Sequence, residues 1–384
     1  MIDSARVSGR RRLLLQSATA IALVQLHGLA QAATKIVVGQ SLPLTGALAT
    51  YGSAKLSGSR TYFAHVNQGN SDRRIEILAL DDQYDPSRTI ENTQALTDKH
   101  QATALLGYFG VPTINAVLPL LDQLKIPVVG LTSGSNAIRA QRRPYVFPVR
   151  ASYAVEIKKI ISHMKTIGLE RVSLIVQKNA FGEEVRNTFI EQANAEGVKK
   201  IGFLDLATDL SNVSALVNSI SSDTQSIFLA TLSGPAVACI KVIKAKKLPM
   251  QLYGLSALDA NSLYQSLGLD ATGVIQSQVM PSPNDTTKAV SRSYTAALKK
   301  YAPEEAPSYF GLEGYIEAMI LHEGIKRAGN SIMGANGRAA LQASLEQMNN
   351  FDLGGFQTSY SPSLHTGSLY VDLTILGNTG RTLR

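Results

Sequence analysis

From Lys35 onward, short β-branched runs alternate with longer amphipathic stretches, and no other feature of the chain narrows its fold so far. Residues 35–42 (KIVVGQSL) read as a buried strand, 51–66 as a helix, and 75–80 as a strand ending in Asp81-Asp82. A helix over 86–100, a strand over 102–106, a helix over 114–124 and a strand over 126–129 continue the pattern. Such alternation builds βαβ units around a parallel sheet. The rhythm breaks at 145–150 (YVFPVR) and restarts with a helix over 156–167 and a strand over 172–176. Helices over 181–195, 211–220 and 236–245 then enclose strands over 201–204 and 226–229. A second break at 279–283 (VMPSP) precedes helical stretches at 289–301, 308–327 and 338–348. An alternating strand over 368–376 closes the chain, with a turn at 377–380. The expected architecture is two α/β lobes, crossed at least twice by the chain, near 148–150 and 279–283. The late helices exceed what the second lobe needs and are expected to complete the first.

The 384 residues suffice for two such lobes, and 45% hydrophobic against 17% charged is a globular balance. The formal charge of +8 does not mark a nucleic-acid binder. Arg6, Arg10, Arg11 and Arg12 fall within the first 32 residues, and the remaining excess sits in short runs without interleaved aromatics. The single cysteine, Cys239, excludes a disulfide framework and reads as a small buried hydrophobe. Residues 1–32 read as a signal peptide: basic Arg10-Arg11-Arg12, an interrupted apolar 13–29, and Ala30-Gln31-Ala32 as the cleavage site. The pattern fits a Sec signal and also resembles a twin-arginine one, so a periplasmic location is expected. It is too short and too polar for a retained anchor.

Catalytic patterns are missing. No phosphate-binding or dinucleotide loop occurs, and Gly254-Leu255-Ser256-Ala257-Leu258 begins like a nucleophile elbow but ends in Leu258, where the turn needs glycine. The six histidines form no H-x-x-x-H pair. Asp81, Asp82 and Asp85 read as a turn and a helix cap before Pro86. The expectation is a protein that is not an enzyme and uses no metal and no cofactor. What the sequence offers instead is Gly, Ser and Thr where strands run into helices, at 41–46, 107–113 and 130–136. Ligands of open α/β sheets sit beyond the carboxyl ends of the strands, and N–H groups at helix starts suit a carboxylate.

Five stretches follow one another in order: KIVVGQSLPLTGALATYG (35–52), IPVVGLTSGSNAIR (126–139), YVFPVRASYAVE (145–156), QKNAFGEEV (177–185) and SYFGLEGYIEAMIL (308–321). FDLGGF and YVDLTILG stand near the end. Together they resemble the type I periplasmic solute-binding proteins of the leucine/isoleucine/valine-binding family, which serve ABC importers. The resemblance implies two doubly wound α/β lobes joined by a three-strand hinge, with the ligand in the interlobe cleft. It divides the chain into 33–149 plus 281–366 for one lobe and 150–280 plus 367–384 for the other, the third crossing falling before Ser368. It implies capture of a branched-chain amino acid or related small carboxylate, a membrane permease as partner, and a monomer.

Carried over position by position, the resemblance implies the following site. Tyr51 lies against the ligand side chain. Gly110 and Val111 form a loop that meets the carboxylate, with Val111 where serine is usual. Thr132 and Ser133, with Ser135 nearby, form a second carboxylate loop. Phe181 keeps a tyrosine's ring and loses its hydroxyl. Ser256 stands where amino-acid binders carry the acid that pairs with the α-ammonium, a charge that Asp259, Glu183 or Glu184 could supply instead. Without such a partner an ammonium is costly to bury, and an aromatic or des-amino carboxylate becomes the expected ligand. The same fold also serves as a ligand-sensing subunit of a receptor, and an α/β enzyme with its active site in the cleft is the other alternative at this point.

Overall fold

The computed structural model describes residues 34–69, 73–139, 141–198 and 200–384. The expected signal peptide lies outside them. The first sheet contains β1 (Thr34–Leu42), β2 (Arg73–Asp81), β3 (Ala104–Phe109), β4 (Val128–Thr132) and β5 (Val146–Phe147), all parallel in the order β2-β1-β3-β4-β5. β3 and β4 are buried at every position, as unbroken apolar runs are when helices cover both faces of a parallel sheet. Its helices are α1 (Ala49–Gln68), α2 (Pro86–Gln94) and α3 (Val111–Leu124).

The second sheet has β6 (Arg171–Gln177), β7 (Lys200–Leu206), β8 (Ser226–Ala230), β9 (Gln251–Gly254) and β10 (Ile275–Gln278) in parallel. Between them run α4 (Tyr153–Thr166), α5 (Ala180–Glu196), α6 (Val213–Asn218), α7 (Ser233–Ala245) and α8 (Ala260–Leu267). After β10 the chain returns to the first sheet's side as α9 (Ala289–Tyr301), α10 (Tyr309–Ala328) and α11 (Gly337–Leu345). A small antiparallel sheet follows: β11 (Phe351–Asp352), β12 (Gln357–Tyr360) and β13 (His365–Gly367). The chain then passes back as β14 (Asp372–Leu376), antiparallel to β10, and β15 (Thr382–Leu383). It therefore passes between the two sheets three times. The passages lie close together, with Ser368 N donating to Val149 O at 2.9 Å and the Tyr360 hydroxyl to Pro148 O at 2.9 Å.

Several details depart from the sequence reading. The helix expected over 86–100 ends as α-helix at Gln94 and continues as a π-turn over Ala95–Lys99. The helix expected over 211–220 shortens to α6, and the last strand starts at Asp372 rather than 368. β9, α8, β10 and the small sheet were not anticipated. β10 reads IQSQ, and Gln276, Ser277 and Gln278 are all buried, so no apolar run betrays it. Asp85 does cap α2, accepting from Arg88 N at 3.0 Å. Cys239 is buried in the apolar core beside β8, and burial pushes its thiol up to about 12.

α10 is the central prop of the first lobe. It is buried almost all round and crosses α1 where Gly58 and Gly314 remove side chains from the contact. A Cβ on Gly58 would lie 1.9 Å from Gly311 O, and one on Gly314 would lie 2.2 Å from Lys55 O. Gly58→Ala is thus expected to overpack the crossing and to cost about 1–3 kcal/mol in urea unfolding. An unchanged midpoint would mean that α1 and α10 separate freely.

Candidate functional site

The cleft between the lobes holds a small cavity where β3, β4 and the chain after β5 meet α5, α7 and the segment after β9. Rings of Tyr84, Phe109, Tyr153, Phe181 and Phe310 line it, together with Arg150. Gly110 and Val111 are also in its wall. Gly110 has φ +89°, a left-handed conformation natural to glycine, and a Cβ there would run into the Tyr84 ring at 2.2 Å. It opens α3, so the N-terminal end of that helix borders the cavity, with Pro112 at its second position offering no N–H. Phe181 is the second residue of α5, whose N-cap Asn179 accepts from Gly182 N at 2.9 Å.

Behind the cavity lies a buried ion network. Arg150 grips Glu313 with both arms, Nε to Oε1 at 3.0 Å and Nη2 to Oε2 at 2.8 Å, and their side chains are 3% and 1% exposed. Lys55 Nζ donates to Glu317 Oε1 at 2.7 Å, lies 3.5 Å from Glu313 Oε1 and also donates to the Thr132 hydroxyl. Glu156 accepts from Ser256 N at 3.0 Å and from the Ser277 hydroxyl at 2.6 Å. Burial works against the Arg150 charge, but Glu313 outweighs it and raises the guanidinium above its ordinary value. Burial likewise opposes ionisation of Glu313, yet Arg150 and then Lys55 hold its carboxyl below the usual range. Glu317 goes the other way. Burial pushes it up to about 8 against the pull of Lys55, and repulsion from Glu313 adds to the rise. Burial also raises Glu156. The result is a charged Arg150–Glu313 pair with one guanidinium nitrogen, Nη1, left 3.5 Å from the Ser256 hydroxyl.

The residues expected from sequence are brought into one region but not into one role. Thr132 lines the cavity, and its hydroxyl is held between Lys55 and Glu313 Oε1, the latter at 3.3 Å. Ser133 and Ser135 are buried just beyond it and brace their own loop: Ser133 accepts from Ser135 N at 3.1 Å, and Ser135 from Ala137 N at 3.1 Å. Ser256 is buried beside Arg150, while its neighbour Ala257 reaches the cavity. None of the acids weighed as amine partners lines it. Asp259 caps α8, accepting from Ser262 N at 3.0 Å. Glu183 is exposed, 3.8 Å from Arg186, and Glu184 accepts from Asn136 N at 2.6 Å.

Tyr51 joins the lobes. Its ring packs on Phe109 and Phe310 at 5.3 and 4.8 Å, and its hydroxyl lies 2.5 Å from the Ser233 hydroxyl and 3.3 Å from Ala257 O. Burial pushes that hydroxyl up to about 12, so it stays a donor. Tyr51→Phe removes this interlobe contact and is expected to weaken ligand retention by about 0.5–1.5 kcal/mol, read as a faster dissociation rate in stopped flow. An unchanged rate would show that the contact does not help hold the lobes shut.

Residues 35–374 match the family described as periplasmic binding protein. The chain belongs to that family. It is a family of solute-binding proteins, and membership implies an extracytoplasmic location. A relative in Brucella melitensis, Leu/Ile/Val-binding protein homolog 6, is 27% identical over 269 residues, covering 67% of each chain. A substrate-binding periplasmic protein from Ralstonia solanacearum superposes with a TM-score of 0.83 at 30% identity, over 91% of this chain and 99% of that one. A possible leucine/isoleucine/valine-binding protein from Rhodopirellula baltica gives 0.85 at 26%, over 92% and 97%. The two-lobed type I architecture expected from the sequence is therefore the observed one. Arg150, Glu313, Glu317, Lys55 and Tyr84 were not singled out in the sequence. The available signal was Glu313 and Glu317, one helical turn apart inside the otherwise apolar stretch 309–321 of α10.

Proposed function

We propose that the protein is the binding component of an ABC importer and captures a carboxylate that lacks an α-amine. The observation that carries this reading is Arg150 in a cavity wall with no acidic side chain among its lining residues. Nη1 of Arg150 is free of Glu313, and guanidinium is the side chain best shaped for a carboxylate. The N-termini of α3 and α5 flank the same space and add partial positive charge. An α-ammonium here would meet Arg150 and aromatic rings, with Ser256 rather than an acid at the position where its partner is expected. A branched-chain amino acid, the ligand named for several relatives, is accordingly the poorer fit. Handover to a membrane permease, and action as a monomer, follow the pattern of the family's importers.

The test is calorimetric competition with matched compounds that differ in one group. 4-Methylpentanoate is expected to bind at least as well as leucine, and at least tenfold (about 1.4 kcal/mol) better than 4-methylpentanamide. Leucine bound 100-fold more tightly than its des-amino analogue would overturn the reading.

A further inference from the structure

The cavity at Arg150 holds about 20 Å³, room for little more than one water-sized sphere. It takes a head group and not a body. Beside it, between the lobes, lies a second chamber of about 450 Å³. Tyr84 and Leu232 line both, so they form the neck between them. The outer wall is mainly apolar, with Leu48, Pro235 and Val237 from opposite lobes. Resting on the reading of Arg150 as the carboxylate contact, we propose that the ligand is an elongated monocarboxylate. Its apolar aryl or alkyl tail runs between Tyr84 and Leu232 into the outer chamber.

The neck is built, not incidental. Gln83 and Tyr84 are consecutive non-glycine residues with φ +53° and +64°, a conformation costly for both. Two carboxylates hold it: Gln83 N donates to Asp81 Oδ1 at 3.0 Å and Tyr84 N to Asp82 Oδ1 at 2.9 Å. Asp82 is itself fixed by the Ser41 hydroxyl at 2.8 Å. The Tyr84 ring then stands directly over Gly110, 6.0 Å from the Phe109 ring centre. A strained backbone pinned at the joint of two chambers places one aromatic edge where a chain must pass. Polar or branched bodies are selected against there, because the walls on either side offer mostly carbon.

The experiment is calorimetric titration of the full mature protein with isobutyrate, phenylacetate, 4-phenylbutyrate, octanoate and 4-phenylbutyramide. The longer acids are expected to bind at least tenfold more tightly than isobutyrate, and the stronger of 4-phenylbutyrate and octanoate tells an aryl from an alkyl tail. Val237→Trp, which fills the outer chamber, is expected to cost the longer acids at least tenfold more than isobutyrate. Equal affinity along the series, or an equal loss for short and long acids in the variant, overturns the two-chamber inference and leaves the carboxylate reading intact. An amide as tight as its acid overturns the carboxylate reading, and the length trend then decides the chamber separately. No heat from any acid at about 1 mM counts against both.

Discussion

Arg150→Met is expected to abolish carboxylate capture and to cost the fold about 3–5 kcal/mol, the usual penalty for leaving one half of a buried ion pair behind. Glu313 would keep its charge with Thr132 and Lys55 as its remaining polar contacts, at 3.3 and 3.5 Å, so some of the loss is offset. A second variant separates folding from binding. Arg150→Met/Glu313→Gln removes one charge of each sign and is expected to recover most of the stability while recovering no preference for acid over amide. Urea unfolding and matched titrations of the two variants give both readings. A double variant that still prefers the acid would place the carboxylate contact elsewhere.

Lys55→Met is expected to destabilise more as pH rises. Below pH 7 the variant leaves Glu317 protonated, because its folded value is already raised to about 8 from an ordinary 4.5. The cost there is a lost hydrogen bond and some packing, about 1–3 kcal/mol. Near pH 9 Glu317 must either ionise without its cation or hold its proton against the solvent, and the cost rises to about 3–5 kcal/mol. The wild type shows the same group with a defined sign. Since the folded value exceeds the unfolded one, the contribution of Glu317 is fully present below about 4.5 and is lost as pH climbs toward 8. Glu317→Gln is expected to flatten that decline in unfolding free energy. A Gln variant with an unchanged pH profile would show that Glu317 is not the titrating group.

The sheet strands that carry the fold were legible because each is an apolar run between helices: KIVVGQSL, ATALL, VSLIV and SIFL all fall within or against observed strands. β9 and β10 were not, because four residues are too few to show a period, and β10 in addition buries Gln and Ser where an apolar run would be read. The loops at 107–113 and 130–136 pointed to the cleft, since a strand end followed by a helix start is a local pattern. The ion network was invisible for the opposite reason. Lys55 and Glu317 are 262 positions apart, and Arg150 and Glu313 are 163 apart, so their pairing exists only once the lobes are assembled. Tyr84 was hidden by its backbone, since nothing in Asp-Asp-Gln-Tyr-Asp announces two left-handed residues.

The return of α10 against α1 has a consequence for the nascent chain. Everything on the first sheet precedes Pro148, yet among the described residues Lys55 receives its carboxylates from Glu313 and Glu317 alone. A chain emerging from its N-terminal end therefore carries a lysine destined for the interior, with no counter-charge, until more than four-fifths of it has been synthesised. Contacts this distant in sequence close late and slowly. The first lobe cannot settle early and wait for the second. Until α10 arrives, the interior of the first lobe lacks the two carboxylates that surround Lys55.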